Sequence, residues 1–160
     1  MGQKVSPTGF RVGINKPWDS TWYASKEDFA NFLLEDNKIR KFLNKEYAQA
    51  SISRIEIERT KEKLYVNIYT GRPAVLIGQK GANVEIIKNQ LAKIVKSNQT
   101  VFVNIKEVKK VDLDATLVAQ SIAQQLEKRV SFKRCMKQAL QRVMKAGAKG
   151  CKVQVSGVVD

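Results

Sequence analysis

Two glycines with two residues between them, Gly78-Gln79-Lys80-Gly81, separate the apolar run Val75-Leu76-Ile77 from a second one, Val84-Glu85-Ile86-Ile87. The elements on either side narrow the possible folds sharply. Ser53, Ile55, Ile57 and Arg59 alternate with Arg54, Glu56 and Glu58 in a period of two, the mark of a strand. A polar turn at 60–63 follows. Leu64, Val66 and Ile68 then form an apolar face opposite Tyr65, Asn67 and Tyr69, completing a hairpin. Pro73 suits the first position of a short helix ending near Ile77. After the glycines, Val84, Ile87, Leu91 and Ile94 share one face of a helix over 82–96. Val101, Val103 and Ile105 mark a third strand. The order is strand, strand, short helix, Gly-x-x-Gly, helix, strand, which is an α+β arrangement.

The glycines have a physical use in that order. They remove side chains that would hold a sugar-phosphate backbone away. The helix that starts beside them turns its amides and the positive end of its dipole toward an anion. Lys80 adds a mobile cation. A lone Gly-x-x-Gly is usually only a turn. Set between Val-Leu-Ile and an apolar helix, it resembles the KH domain, an RNA-clamping module. The hairpin precedes the motif, as in the prokaryotic-type (type II) variant. The resemblance implies that Gly78, Gln79, Lys80 and Gly81 contact single-stranded RNA.

Three further segments are predicted. Residues 1–24 lack periodicity, and Pro7, Gly9, Gly13 and Pro17 read as breakers of any regular element. Yet Phe10, Ile14, Trp18, Trp22 and Tyr23 are large and apolar. Trp18 and Trp22 either cap the core or, with Lys4, Arg11 and Lys16, belong to an extended arm that stacks on RNA and neutralises it. Ser25 and Asp28 form a capping box for a helix over 26–48, with Phe29, Phe32, Leu33, Phe42 and Leu43 as its apolar positions and Asn37 as a point of interruption. After a linker at 109–112, Asp112 or Asp114 caps a helical stretch over 115–145. There Ile122, Leu126 and Val130 form one apolar row, and Met136, Leu140, Val143 and Met144 another. Gly147 and Gly150 end it, and 152–155 reads as a final short strand. The chain thus divides into an arm (1–24), a helix plus KH domain (25–110) and a C-terminal α/β domain (111–160).

Charge points to a polyanionic partner. The chain carries 29 Lys and Arg against 15 Asp and Glu, a formal net charge of +14. Nine basic residues and no acidic one lie between Lys128 and Lys152. Such a field attracts a polyanion and releases its counterions, with nucleic acid first and an anionic membrane surface second. No apolar run approaches a membrane span of roughly 20 residues. Without histidine, imidazole acid–base chemistry is excluded. Without a G-x-x-x-x-G-K-[ST] loop, an ATP-driven helicase is disfavoured. A nucleophilic lysine stays open, although no pattern singles one out. Cys135 and Cys151 have neither C-x-x-C nor zinc spacing and read as two buried or idle thiols in a reducing compartment. No enzyme activity, cofactor or metal is expected.

The resemblance extends beyond one module. Met1-Gly2-Gln3-Lys4-Val5, Gly9-Phe10-Arg11-Val12-Gly13-Ile14, Lys16-Pro17-Trp18 and Ser20-Thr21-Trp22-Tyr23-Ala24 are similar to the opening of the S-three family of bacterial-type small-subunit ribosomal proteins. Leu126-Glu127-Lys128-Arg129-Val130-Ser131-Phe132-Lys133-Arg134 and Gly147-Ala148-Lys149-Gly150 are similar to its later signatures. This implies a structural constituent of the small subunit, cytoplasmic or in an organellar matrix, at the mouth of the channel through which messenger RNA enters. It implies contacts to ribosomal RNA from Gln3, Lys4, Arg11, Lys16, Trp18, Trp22, Lys128, Arg129 and Lys149. Lys133, Arg134 and Lys137 match the family's messenger-facing basic residues, which assist unwinding without nucleotide hydrolysis. Lys133 replaces an arginine common in relatives, which keeps a phosphate contact but loses the bidentate fork. The neighbouring head proteins S-ten and S-fourteen are implied partners, and no membrane is. The family continues well past the equivalents of Ser156-Gly157 and completes a C-terminal sheet, which the one strand at 152–155 cannot make. This α/β domain is therefore expected to be incomplete and its helices after Ala115 to lack cover: either another chain supplies it or this is a short or interrupted form. A free-standing KH regulator of transcripts is the competing reading.

Overall fold

The computed structural model describes residues 2–95 and 99–157, so the expected end of the second loop helix at Lys96 lies outside the described residues. A four-stranded sheet forms the centre. Its strands are β1 (Ser20–Thr21), β2 (Ile52–Arg59), β3 (Lys63–Thr70) and β4 (Thr100–Glu107), side by side in that order. The hairpin pairs β2 antiparallel to β3, with Ile55 opposite Ile68 and Ile57 opposite Val66. β3 and β4 are parallel, joined by a crossover through α3 (Pro73–Ile77) and α4 (Ala82–Ile94). Pro73 opens α3, where its missing N–H costs nothing.

Period-two alternation decides which face is buried. Ile55, Ile57, Leu64, Val66, Ile68 and Val101 turn inward against Ile39 and Leu43 of α2 (Lys26–Glu46), Leu76 of α3, and Ile87 and Leu91 of α4. Burying each such side chain is worth about 1.5–3 kcal/mol. Ser25 caps α2 as its pattern predicts, its Oγ accepting from the Asp28 amide at 3.2 Å. Asn37 does not interrupt the helix.

The buried face of α2 differs from expectation. Phe29 and Leu33 are 52% and 54% exposed, whereas Glu35 and Asp36 are buried. The reason lies on β2. Arg59 falls in phase with Ile55 and Ile57, so the strand carries its guanidinium inward. Two carboxylates from α2 meet it there.

The first 24 residues contain more regular structure than their breakers suggest. Pro7 opens α1 (Pro7–Arg11) instead of preventing it, and the Ser6 Oγ accepts from the Gly9 amide. Ser20–Thr21 pairs parallel to β2, Ser20 beside Ile57, so this part of the arm is an edge of the sheet.

The helical stretch expected over 115–145 is divided into two helices, α5 (Ala115–Glu127) and α6 (Phe132–Lys145). Arg129 takes a left-handed conformation (φ 59°) and turns the chain between them. Folding back lets Val118 and Ile122 of α5 pack on Cys135, Ala139 and Val143 of α6. The buried row on α6 is therefore Cys135, Ala139 and Val143; Met144 is half-exposed. Asp114 caps α5, accepting from the Leu117 amide at 3.1 Å and from Ser53 Oγ at 2.6 Å. The strand expected over 152–155 does not form: among the described residues it has no partner for a ladder. Val153 and Val155 pack partly on the apolar cluster between α5 and α6 instead. As expected for a lone segment, 152–155 builds no sheet of its own among the described residues, and the C-terminal unit is a helix pair with an extended tail. Cys135 is buried and Cys151 exposed, both as free thiols.

Candidate nucleic-acid interface

The loop between α3 and α4 has the backbone that its glycines permit. Gly78 and Gly81 both have positive φ, 67° and 82°, in a region that side chains rarely enter. Their surroundings differ. A Cβ on Gly78 would come within 2.6 Å of Asn83 Cγ. Asn83 Nδ2 in turn donates to the Val75 carbonyl at 3.0 Å, tying the start of α4 to α3. Around Gly81 a Cβ would meet nothing within 4 Å, so that side of the loop is open. Gly78 is therefore needed for internal packing. Gly81 is needed for its conformation, and the space beside it is open.

Gly81 is also the residue from which α4 starts, and no side chain caps that end. Ser25 and Asp114 cap α2 and α5. The positive end of the α4 dipole thus has no side-chain cap, and Glu85 is the acidic residue of its first turn. Gln79 is exposed, and the side chain of Lys80 lies outside the described residues.

The second basic surface is α6. It carries Lys133, Arg134, Lys137, Arg142 and Lys145 and no acidic residue. The Cys135, Ala139 and Val143 row holds the opposite side against α5, so Lys133, Arg134 and Lys137 are exposed together. Like charges at this spacing repel by a few tenths of a kcal/mol, and among the described residues none of the three is in an ion pair. Lys128 and Arg129 are exposed in the turn before α6, and Lys149 just beyond it.

The N-terminal residues separate into two groups. Gln3, Lys4, Arg11, Lys16 and Trp18 are exposed. Trp22 takes the capping position: its ring lies 5.4 Å from Phe29 and 5.7 Å from Phe32, and its Nε1 donates to Asp36 at 2.8 Å. Asp36 also accepts from Ser20 Oγ at 2.9 Å and from Arg59 at 2.6 Å. Arg59 donates further to Glu35 at 2.9 Å and lies over the Phe32 ring. Arg40 holds the same segment, donating to Ser20 Oγ, the Asp19 carbonyl and the Ile55 carbonyl. Sequence reasoning missed this anchor. The available signal was Arg59, a charged residue in the buried phase of an apolar strand.

Comparison with known proteins supplies the rest. Residues 38–113 match the family model for the KH domain, and residues 122–160 match that for the C-terminal domain of ribosomal protein S3. The chain is 53% identical over 157 residues to small ribosomal subunit protein uS3 of Pelagibacter ubique, covering 98% of this chain and 69% of that one. It is 54% identical to the uS3 protein of a Clostridium botulinum strain and 55% to that of Clostridium beijerinckii, covering 70% and 71% of them. With both family models matched and more than half of its residues shared with these proteins over nearly its whole length, the chain belongs to the uS3 family of small ribosomal subunit proteins.

Proposed function

We propose that the chain is a structural, non-enzymatic constituent of the small subunit that binds ribosomal RNA and contacts messenger RNA through α6. The observation that carries the messenger contact is the exposed trio Lys133, Arg134 and Lys137 on one helix, with no carboxylate between Lys128 and Lys152. The trio acts as a fixed cationic rail. It holds phosphates of strands as they separate and disfavours their reannealing, with no nucleotide consumed. The open backbone at Gly81 and the uncapped start of α4 suit the close approach of a ribose-phosphate chain. Gln3, Lys4, Arg11, Lys16 and Trp18 at the N-terminus, with Lys128, Arg129 and Lys149 around α6, lie on ribosomal RNA in this reading. Trp22 contributes by holding the segment in place. A cleft of about 640 Å³ between α5 and the tail, lined by Val118, Ile122, Leu126 and Val153, is the face that neighbouring head proteins S-ten and S-fourteen cover.

Replacing Lys133, Arg134 and Lys137 together with alanine is expected to leave subunit assembly largely intact and to slow hairpin-containing messages selectively. Translation of paired structured and unstructured messages on the variant ribosomes measures this. Three lost phosphate contacts should also lower the salt slope of single-strand binding by about two. Equal slowing of both messages would mean a general assembly defect and would refute the rail.

A further inference from the structure

The sheet face opposite the α2, α3 and α4 helices carries an ordered grid of side chains. Arg54, Glu56 and Glu58 of β2 stand beside Tyr69, Asn67 and Tyr65 of β3. These stand beside Lys106, Asn104 and Phe102 of β4. The three aromatic rings lie outside the apolar core cluster and are only half-buried. Tyr65 and Phe102 stack, with ring centroids 5.3 Å apart and planes within 23°. Cations surround the rings. Lys88 and Lys63 sit 5.6 and 6.0 Å from the centre of Phe102. Arg54 and Lys106 sit 3.9 and 5.2 Å from that of Tyr69.

The two carboxylates of the face are already engaged, Glu56 by Arg54 at 2.9 Å and Glu58 by Asn67 at 3.1 Å. Among the described residues, Lys63, Lys88 and Lys106 are held against rings and not by carboxylates, so the face keeps a positive field. An apolar protein surface laid here would strip water from those three ammonium groups and give nothing in return. A single-stranded nucleic acid answers both features, because its bases stack on rings and its phosphates meet the lysines. Asn104, exposed between the two aromatic positions, donates to Asn67 and has a carbonyl oxygen to offer a base edge.

We propose that this outer sheet face is a second single-stranded RNA surface, separate from the glycine loop, on which bases stack against Phe102–Tyr65 and Tyr69. Lys88 links the two surfaces: it stands on α4, the helix that the loop opens, and reaches Phe102 on the edge strand β4. The proposal rests on the reading that the chain binds single-stranded RNA, and the test separates the two.

The full chain is titrated with a single-stranded oligoribonucleotide carrying 5-iodouridine, and photo-cross-links are mapped. Two variants are compared with the parent. Tyr65→Leu with Phe102→Leu keeps the strands apolar, and Lys63→Gln with Lys88→Gln and Lys106→Gln changes only exposed side chains. Each should bind at least about tenfold more weakly, the scale of one lost base stack, with an unchanged melting midpoint. Cross-links should fall on Tyr65, Tyr69 or Phe102. Parental affinity in both variants, with cross-links confined to 78–81, would overturn the proposal and leave the loop reading standing. Loss in the sheet variants beside a silent Gly81→Asp would do the reverse. Parental RNA affinity with failure to join neighbouring subunit proteins would assign the face to a protein and also overturn the proposal.

Discussion

Arg59→Leu is expected to destabilise the protein by about 3–5 kcal/mol, the cost of leaving a buried charge without its partner. The Arg59 side chain is 2% exposed and donates to Asp36 through Nε and a terminal nitrogen, and to Glu35 through the other. Leucine would leave the Asp36 carboxylate buried with, among the described residues, the Ser20 and Trp22 donors alone. Because those donors come from the N-terminal segment, the damage should spread to residues 19–22. Urea unfolding followed by tryptophan fluorescence measures both effects, since the Trp22 ring reports on this cluster directly. Adding Asp36→Asn should recover part of the loss by removing the stranded charge. A cost below about 1 kcal/mol would mean that water reaches the cluster and that the ion pair behaves like a surface one.

The second large effect is expected in binding. Gly81→Asp should weaken association with single-stranded RNA by at least about 1 kcal/mol, roughly fivefold, while the protein stays folded. No clash accompanies the substitution, because the space around Gly81 is open. Two other terms act: a side chain at φ 82°, and a negative charge at the start of α4 where phosphate is expected. Gly81→Asn separates them, since asparagine tolerates this conformation better and carries no charge. The asparagine variant should fall between parent and Asp in fluorescence anisotropy titrations. Gly78→Asp tests something else, because there the Cβ runs into Asn83 and the first consequence is a displaced α3–α4 corner.

Much of the architecture was legible because local signals and burial agree. The alternation through Ile55, Ile57, Leu64, Val66 and Ile68 places the hairpin and its inner face, and Ser25 and Asp114 mark two helix starts by their capping chemistry. The failures share a cause, which is that tertiary pairing overrides local pattern. Nothing like glycine or proline marks the turn at Arg129, and apolar rows continue on both sides. The break pays for its strain only by bringing Cys135 and Ala139 against Ile122, a contact distant in sequence. The valines of 152–155 have strand character but no partner strand among the described residues, so the pattern has nothing to pair with. On α2, hydrophobicity favours Phe29 and Leu33, yet the demand of one buried guanidinium turns Glu35 and Asp36 inward instead. For the site, the glycine loop and the basic helix were readable as composition and spacing. The anchoring of Trp22 was not, because its partner Asp36 is fixed by Arg59, a residue from another element.

The most direct test of the central claim, that this uS3-family chain is held in the small subunit by RNA, is sedimentation of tagged chain from cell extract in high salt. Exposed cation–phosphate contacts weaken steeply with salt, whereas a chain seated by many contacts at once stays bound. The protein should travel with small subunits after the salt wash and leave them once the ribosomal RNA is digested. Release by salt alone, with the chain recovered on free transcripts, would contradict the account and make it a free-standing RNA regulator.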